Sequence, residues 1–510
     1  MLALVKKNSV FVASWAISLF VIAVGVVNPS LLDAVSALLH AQIIDNFGWG
    51  YLLGTFLFLL FSIALAVSPF GRLKLGQDHE KPQYSYFGWF SMLFAAGMGI
   101  GLIFWGVAEP LSHFANPPGY LEPGSGDAAA FAMRRSFFHW GVHPWAVYIV
   151  MSLAVAYFSF RRGMPPLISS CFYPLLGERI YGPIGYIIDI MSVLATVFGI
   201  VTSLGLGAMQ ITSGLAKVTP LPDTYATTLG VIGVVTVLFM ISSLTGLDKG
   251  IQMLSKTNIL LALLLLTFMF FTGPTAYMLN VLTTTLGSYI SGIVDMSLSI
   301  NPFHGYEWTK SWTLFYWAWW ISWAPFVGLF VASISRGRTV REFILGAMLV
   351  PTLLTFVWFS VFGGAGLHMQ MVVGIDIADQ VADNVSMALF ELFFYYPFSG
   401  ILTSIALLLL MVFFITSADS ATYVLAMMTS GGALRPSAWK KISWGITVAA
   451  TACILLFSGG LESLQRMSIT AALPFTLIML VLCYNLWLGM RYEFRKPHMQ
   501  SLDFTQDLDS

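Results

Sequence analysis

Apolar runs of bilayer-spanning length recur along the whole chain, and no other feature limits its fold as much. About 20 apolar residues in a helix cross the hydrocarbon core. Twelve such segments are read, near residues 10–29, 48–68, 87–108, 136–159, 186–212, 226–245, 255–273, 312–334, 343–365, 399–427, 440–458 and 470–490. Backbone polar groups in lipid must pair within their own segment, which predicts helices. Only 9% of the 510 residues are charged, against about 25% in a soluble chain. The predicted fold class is an all-α polytopic membrane protein with twelve transmembrane helices. The first run follows Lys6 and Lys7, as a signal peptide would. It is long enough to span and lacks a small-residue cleavage site, so it reads as a retained helix.

Charge placement supports the count. With the N-terminus inside, inner segments hold Lys6, Lys7, Arg72, Lys74, Lys81, Arg161, Arg162, Arg336, Arg338, Arg341, Lys440 and Lys441, among others. Outer segments hold Arg134, Arg135, Lys217, Lys310 and Arg466. Cations gather on the cytoplasmic side, so both termini are expected there. The stretch around 276–297 reads as an interfacial amphipathic helix or an ordinary outer loop. Net charge is zero, so nucleic acid is not an expected partner. Cys171, Cys453 and Cys483 lie in apolar runs and read as small buried hydrophobes. No metal-ligating cluster, phosphate loop or nucleophile elbow is visible, and no enzyme chemistry or resident cofactor is expected. The short segment 491–510 leaves no room for an extended basic sensor helix.

Four segments depart from plain lipid-facing helices. The first is Gly97-Met98-Gly99-Ile100-Gly101. Each glycine weakens a helix by about 1 kcal/mol relative to alanine. Glycines also let helices pack closely, so the run serves either local unwinding at mid-membrane or close packing, or both. The second runs from His139 to Tyr148. At 100° per residue Trp140, Trp145 and Tyr148 fall within about 140° of arc, as an aromatic face or an interfacial belt. His143 reads as a hydrogen-bonded structural residue.

The third runs from Trp312 to Phe326. Trp317, Trp319, Trp320 and Trp323 occupy about 160° of arc, with Pro325 expected to bend the helix beside them. A belt needs one or two tryptophans per helix end, and five stand here within a dozen residues. Tryptophan is the strongest cation–π partner, at about 0.5–2 kcal/mol per face, and a methylated ammonium has no N–H to donate. The fourth holds Phe413, Thr416, Ser417, Asp419 and Ser420. Thr416, Ser417 and Ser420 share a face, and hydroxyls and carbonyls suit a hard cation; interhelical hydrogen bonding is the alternative. Asp419 points away from that face, toward function or a scaffold pair.

Taken together these segments resemble the betaine/carnitine/choline transporter family over nearly the whole chain. The marks are Gly97-Met98-Gly99-Ile100-Gly101 with Trp105-Gly106-Val107-Ala108-Glu109-Pro110, the segments Trp140–Tyr148 and Trp317–Phe326, Ser335-Arg336-Gly337-Arg338-Thr339, and Thr416-Ser417-Ala418-Asp419-Ser420. The resemblance implies two five-helix inverted repeats, helices 3–7 and 8–12, preceded by two extra helices. The division is then 1–85, 86–274, the interfacial segment 275–309, 310–490 and the tail 491–510. It implies a substrate box of Trp140, Trp145, Tyr148 and Trp320, with Ser203 nearby, and access-path aromatics Phe104, Trp317, Trp319, Trp323 and Phe326. It implies an unwound segment at Gly97, Met98, Gly99 and Gly101. It also implies a sodium site on the backbone of Ala95 and Met98 with Phe413, Thr416 and Ser417.

The function expected from the resemblance is sodium-coupled symport of glycine betaine, or a similar onium zwitterion, by alternating access. The expected setting is a homotrimer in the bilayer of the bacterial cytoplasmic membrane. Hydroxyls at Thr416 and Ser417, where sodium-independent members carry methionine or arginine, favour sodium. Gly101 stands where a proton-coupled choline carrier carries aspartate. A second sodium site would use Thr196 and the position four residues on, which is Ile200; Thr202 and Ser203 lie close by. The alternative is an exchanger or proton-coupled carrier for choline, carnitine or a sulfonium zwitterion. A membrane enzyme or a channel lacks its required residues.

Overall fold

The computed structural model describes residues 2–97, 99–245 and 248–495. Among these every named element is helical. Among the described residues nine helices are long and apolar enough to cross a membrane, eleven if each of two bent pairs counts as one span. The expected count of twelve divides 438–494 in two. There the helical run Ala438–Arg495 is interrupted at Gly459 and Gly460, whose backbone angles are non-helical. The pair Tyr86–Phe94 and Gly99–Ala115 meets at 63°, and Lys256–Thr272 turns by 110° into Thr275–Leu298.

The second helix differs from the expected 48–68, because it begins at Pro29 and ends at Val67. The Asn28 side chain accepts from the Leu31 N–H, and Pro29 fills the first helical position, where a missing N–H costs nothing. Polar residues along its first half, such as Asp33, Asp45 and Asn46, hide this start from a hydropathy reading.

Burial separates centre from periphery. The most apolar window of Asn8–Val27 is 22% buried, whereas those of Gly126–Arg161 and Tyr306–Ser333 are 94% buried. Apolar side chains such as Phe20, Val27 and Phe271 point outward, as lipid solvation permits. The two central helices pack along each other, flanked by Pro183–Val218, Val340–His368 and the long C-terminal run. Whatever lies between the two central helices is shielded on all sides.

At one end of the bundle the 73–84 loop is laced to its neighbours. Lys74 pairs with Thr339 in an isolated antiparallel bridge. Arg161 donates to the carbonyl of Gly76 and to Asp78, and also pairs with Glu493. Arg336 grips Glu80 through two hydrogen bonds of 2.7 Å each.

Candidate substrate site

The chain between the two halves of the fourth span breaks at Gly141 (φ −87°, ψ −139°), between the helices Gly126–Trp140 and Val142–Ala156. Pro144 explains the break: it has no N–H for the Trp140 carbonyl four residues back, and its ring crowds that carbonyl. The break leaves Trp140 at a helix end and Trp145 and Tyr148 on the first turns of the next helix. Trp320 comes from the facing helix Phe315–Ser333.

These four rings form one chain of near-perpendicular pairs. Trp140 and Trp320 lie 4.9 Å apart at 77°, Trp320 and Tyr148 6.3 Å at 81°, and Tyr148 and Trp145 5.8 Å at 84°. Each is at most 2% exposed. Rings set at right angles turn their faces in different directions, and aromatic faces are what a compact organic cation binds. Gly101 packs beneath them. A Cβ there would stand 2.7 Å from Trp319 Cη2 and 2.9 Å from Trp140 Cη2. Gly101 lies inside the helix Gly99–Ala115, so its role here is close approach rather than unwinding.

The box is fastened from behind. Trp140 Nε1–H donates to Glu109 Oε2 at 2.7 Å, and the Tyr316 hydroxyl donates to the same oxygen at 2.5 Å. Glu109 Oε1 lies 2.7 Å from His139 Nδ1 and 3.2 Å from His113 Nε2. His139 Nε2 pairs with Thr313 Oγ1 at 2.9 Å, and Trp320 Nε1–H donates to the His139 carbonyl at 3.0 Å. Other polar atoms of the site have no hydrogen-bond partner among the described residues: Trp145 Nε1, Tyr148 OH, Trp319 Nε1 and Ser203 Oγ, all buried. Unpaired buried donors are costly, at about 1–3 kcal/mol each, which makes them candidates for a ligand's anionic group.

A family model described as betaine/carnitine/choline family transporter matches residues 9–495. The chain belongs to that transporter family. It is 47% identical over 493 residues to the glycine betaine transporter OpuD of Bacillus subtilis (strain 168), covering 96% of this chain and 95% of the relative. It is 44% identical to a probable glycine betaine transporter of Desulfitobacterium hafniense (strain Y51), with 96% and 98% covered. An ectoine/hydroxyectoine transporter of Virgibacillus pantothenticus is 42% identical, with 93% and 95% covered. The protein is thus a multi-pass membrane transporter, and its relatives are transporters rather than enzymes.

Within this family transporter the remaining site residues fall as follows. Trp319, Trp323 and Phe326 form a ladder, with 6.5 Å between the first two rings and 5.6 Å between the last two. Trp323 donates to the Gly199 carbonyl at 2.6 Å. Trp317 faces elsewhere, stacked on His143 at 5.4 Å and edge-on to Phe138, so it does not join the ladder. Phe104 packs on Trp105. His143 Nε2 pairs with Ser297 Oγ. The helix Phe315–Ser333 continues through Pro325, and the irregularity on this span is instead a π-helical turn at Lys310–Leu314.

The expected ion site is described in part. Met98 lies outside the described residues. Gly97 ends one helix and Gly99 begins the next, and Ala95 belongs to the last turn of the first. The break abuts Phe413, since a Cβ on Gly99 would stand 3.3 Å from Phe413 Cδ1. Thr416 donates to the Val412 carbonyl at 2.9 Å, and Ser417 is half-buried. On the fifth span Thr196 donates to Ser192 O, Ile200 is buried, and the Thr202 hydroxyl is committed to the Phe198 and Leu464 carbonyls.

A cavity of about 780 Å³ lies further along the same two helices, lined by Val155, Leu329, Arg336, Asp419 and Ser420 among others. Asp419 lines this cavity with Ser420 and accepts from the Ser242 hydroxyl at 2.6 Å, a bond to a neighbouring helix.

Two features are not apparent in the sequence. Glu109 stands out there only within the motif Trp105–Pro110, although an intramembrane carboxylate is a functional candidate by default and His113 stands one helical turn on. The sequence also offered no metal-ligating cluster, yet the fold brings ligand atoms of Glu109, His113 and His139 within 4.8 Å of one another. His139 arrives from another helix, which no spacing rule reveals. The Glu109 oxygens and the two nitrogens facing them are engaged with one another, so the cluster as it stands is a hydrogen-bond network.

Proposed function

We propose that this transporter carries glycine betaine, or a closely similar methylated onium zwitterion, by sodium-coupled symport. The observation that carries the reading is the four-ring box of Trp140, Trp145, Tyr148 and Trp320 with unpartnered donors at Trp145 Nε1 and Tyr148 OH. The ring faces suit a cation that cannot donate hydrogen bonds. The donors suit a carboxylate. A zwitterion satisfies both with a charge-assisted bond, whereas choline offers the donors only a neutral hydroxyl. The names of the Bacillus and Desulfitobacterium relatives support the same substrate.

Sodium is the proposed coupling ion. The supporting facts are the hydroxyls of Thr416 and Ser417 on the helix that packs beside the break at residues 97–99, and a glycine rather than an acid at position 101. Each sodium ion entering along a potential of 100 mV gains roughly 2.3 kcal/mol, enough to concentrate a neutral zwitterion about fiftyfold. The proposed setting is the bacterial cytoplasmic membrane, twelve spans, both termini cytoplasmic, as a homotrimer.

The test is uptake of labelled glycine betaine into proteoliposomes with and without a sodium gradient, with choline, carnitine, a sulfonium zwitterion and ectoine as competitors. Sodium-dependent, electrogenic uptake inhibited best by methylated zwitterions is expected. Uptake driven equally by potassium, or by a pH gradient or internal onium solute, overturns the coupling. Stronger inhibition by ectoine than by betaine reassigns the substrate, in line with the Virgibacillus relative.

A further inference from the structure

Glu109 is fully buried in a transmembrane helix, and neither the substrate box nor the ion site uses it directly. Its side chain nevertheless holds four residues of the site's framework, Trp140, Tyr316, His139 and His113. Trp140 Nε1–H and the Tyr316 hydroxyl, 2.7 and 2.5 Å away, both end on Oε2. An indole N–H can only donate, so Oε2 is an acceptor in this arrangement. Oε1 faces two imidazole nitrogens, of His139 and His113. One carboxylate thus sets the tilt of a box tryptophan and of Tyr316, which in turn stacks on Trp320 with centroids 6.0 Å apart. No ion pair links Glu109 to a lysine or arginine among the described residues. Arg135, the nearby buried cation, lies over the rings of Phe131, Phe138 and Trp308 at 5.3–5.8 Å.

We propose that Glu109 is a positioning residue that holds Trp140 and Tyr316 in the box geometry and, through the indole N–H, adds negative charge to the ring face that receives the onium group. The physical basis is the cation–π attraction itself, which is electrostatic and grows with the electron density of the ring. A carboxylate accepting from the indole N–H raises that density, and a charge-assisted bond is stronger than a neutral one. The inference rests on the box being the onium site.

Glu109→Gln separates charge from shape. With its amide oxygen toward Trp140 and Tyr316, the glutamine still accepts from both, and its NH2 meets two imidazoles whose tautomers can adapt. The full-length variant is reconstituted, and two probes are compared by tryptophan fluorescence. One is glycine betaine. The other is 3,3-dimethylbutanoate, its carbon isostere without the positive charge. The expected result is a melting temperature close to wild type, a betaine Kd raised at least fivefold, and an isostere affinity within twofold of wild type. An unchanged betaine Kd overturns the proposal, and so does an equal loss for both probes. If the isostere fails to bind even wild type, the betaine Kd alone decides. If Glu109→Gln fails to fold, Trp140→Phe carries the test. It keeps a ring in the box but removes the indole N–H through which Glu109 acts. The betaine Kd should then rise at least fivefold with the isostere within twofold of wild type, and an unchanged betaine Kd or an equal loss for both probes overturns the proposal. A wild-type protein that binds no betaine refutes the onium reading of the box instead.

Discussion

Gly101→Ala adds one methyl group where the box has no room for it. The new Cβ would lie 2.7 Å from Trp319 Cη2 and 2.9 Å from Trp140 Cη2, against about 3.5–4.0 Å for an unstrained carbon contact. One or both rings must retreat by about 1 Å. Trp140 is pinned by its 2.7 Å bond to Glu109, and Trp319 is stacked on Trp320 at 4.7 Å. The overpacking cost is about 1–3 kcal/mol, offset by roughly 1 kcal/mol of helix propensity, so folding loses only about 0–2 kcal/mol. Binding suffers more selectively, because displacing one ring face removes about 0.5–2 kcal/mol of cation–π attraction. That corresponds to betaine affinity about 2- to 30-fold weaker. Fluorescence titration of the purified variant gives the affinity, and thermal unfolding gives the stability. Gly230→Ala is the matched control, since nothing lies within 4 Å of its added Cβ, and it should leave both unchanged or slightly raise stability. Wild-type betaine affinity in Gly101→Ala would refute the claim that this glycine sets the box.

Trp320→Leu should weaken betaine binding at least tenfold in the same titration while the protein stays folded, because Trp320 is the ring that joins Trp140 to Tyr148. Thr416→Ala and Ser417→Ala should each raise the sodium concentration for half-maximal uptake, measured in proteoliposomes at fixed betaine; an unchanged sodium dependence in both removes them from the ion site. Gly199→Ala should lower transport by pushing Trp323 off its bond to the Gly199 carbonyl, since the added Cβ would stand 2.8 Å from Trp323 Cδ1. In the Glu80–Arg336 pair the hydrogen-bonded guanidinium holds the Glu80 carboxyl below its ordinary range. A depressed folded-state pKa contributes stability above the unfolded value and loses it as pH falls through the folded value. Glu80→Gln should therefore flatten the acid limb of the thermal-unfolding profile below the usual carboxylate range, and an acid limb identical to wild type would count against the pair.

Hydropathy made the spans legible, because a lipid-facing helix must be apolar along its whole length, and the run 226–245 coincides closely with the helix Tyr225–Thr245. The aromatic crowding of the two central helices was legible because tryptophan is too scarce and too large to crowd two segments by chance, whereas the choice of Trp140, Trp145, Tyr148 and Trp320 followed only from the family resemblance. What the sequence withheld depends on contacts between distant segments. Glu109 meets Tyr316 across 207 positions and Thr313 meets His139 across 174, and no local pattern encodes either. Periodicity placed Trp317 on the same broad arc as its neighbours, but only packing turned it toward His143. Pro325 suggested a bend, while the irregular backbone lies at Lys310–Leu314, where the sequence carries no proline or glycine.

The tryptophan helix is tied at successive levels along its length. Thr313, Tyr316 and Trp320 hold it to His139 and Glu109 near one end. Midway, Ser322 and Trp323 donate to the Ser468 and Gly199 carbonyls, and just past its other end Ser335 accepts from Trp89. A rod stitched to its neighbours at every level cannot slide past them alone. Any displacement of it is shared by the walls of the aromatic box, so box and scaffold move as one piece.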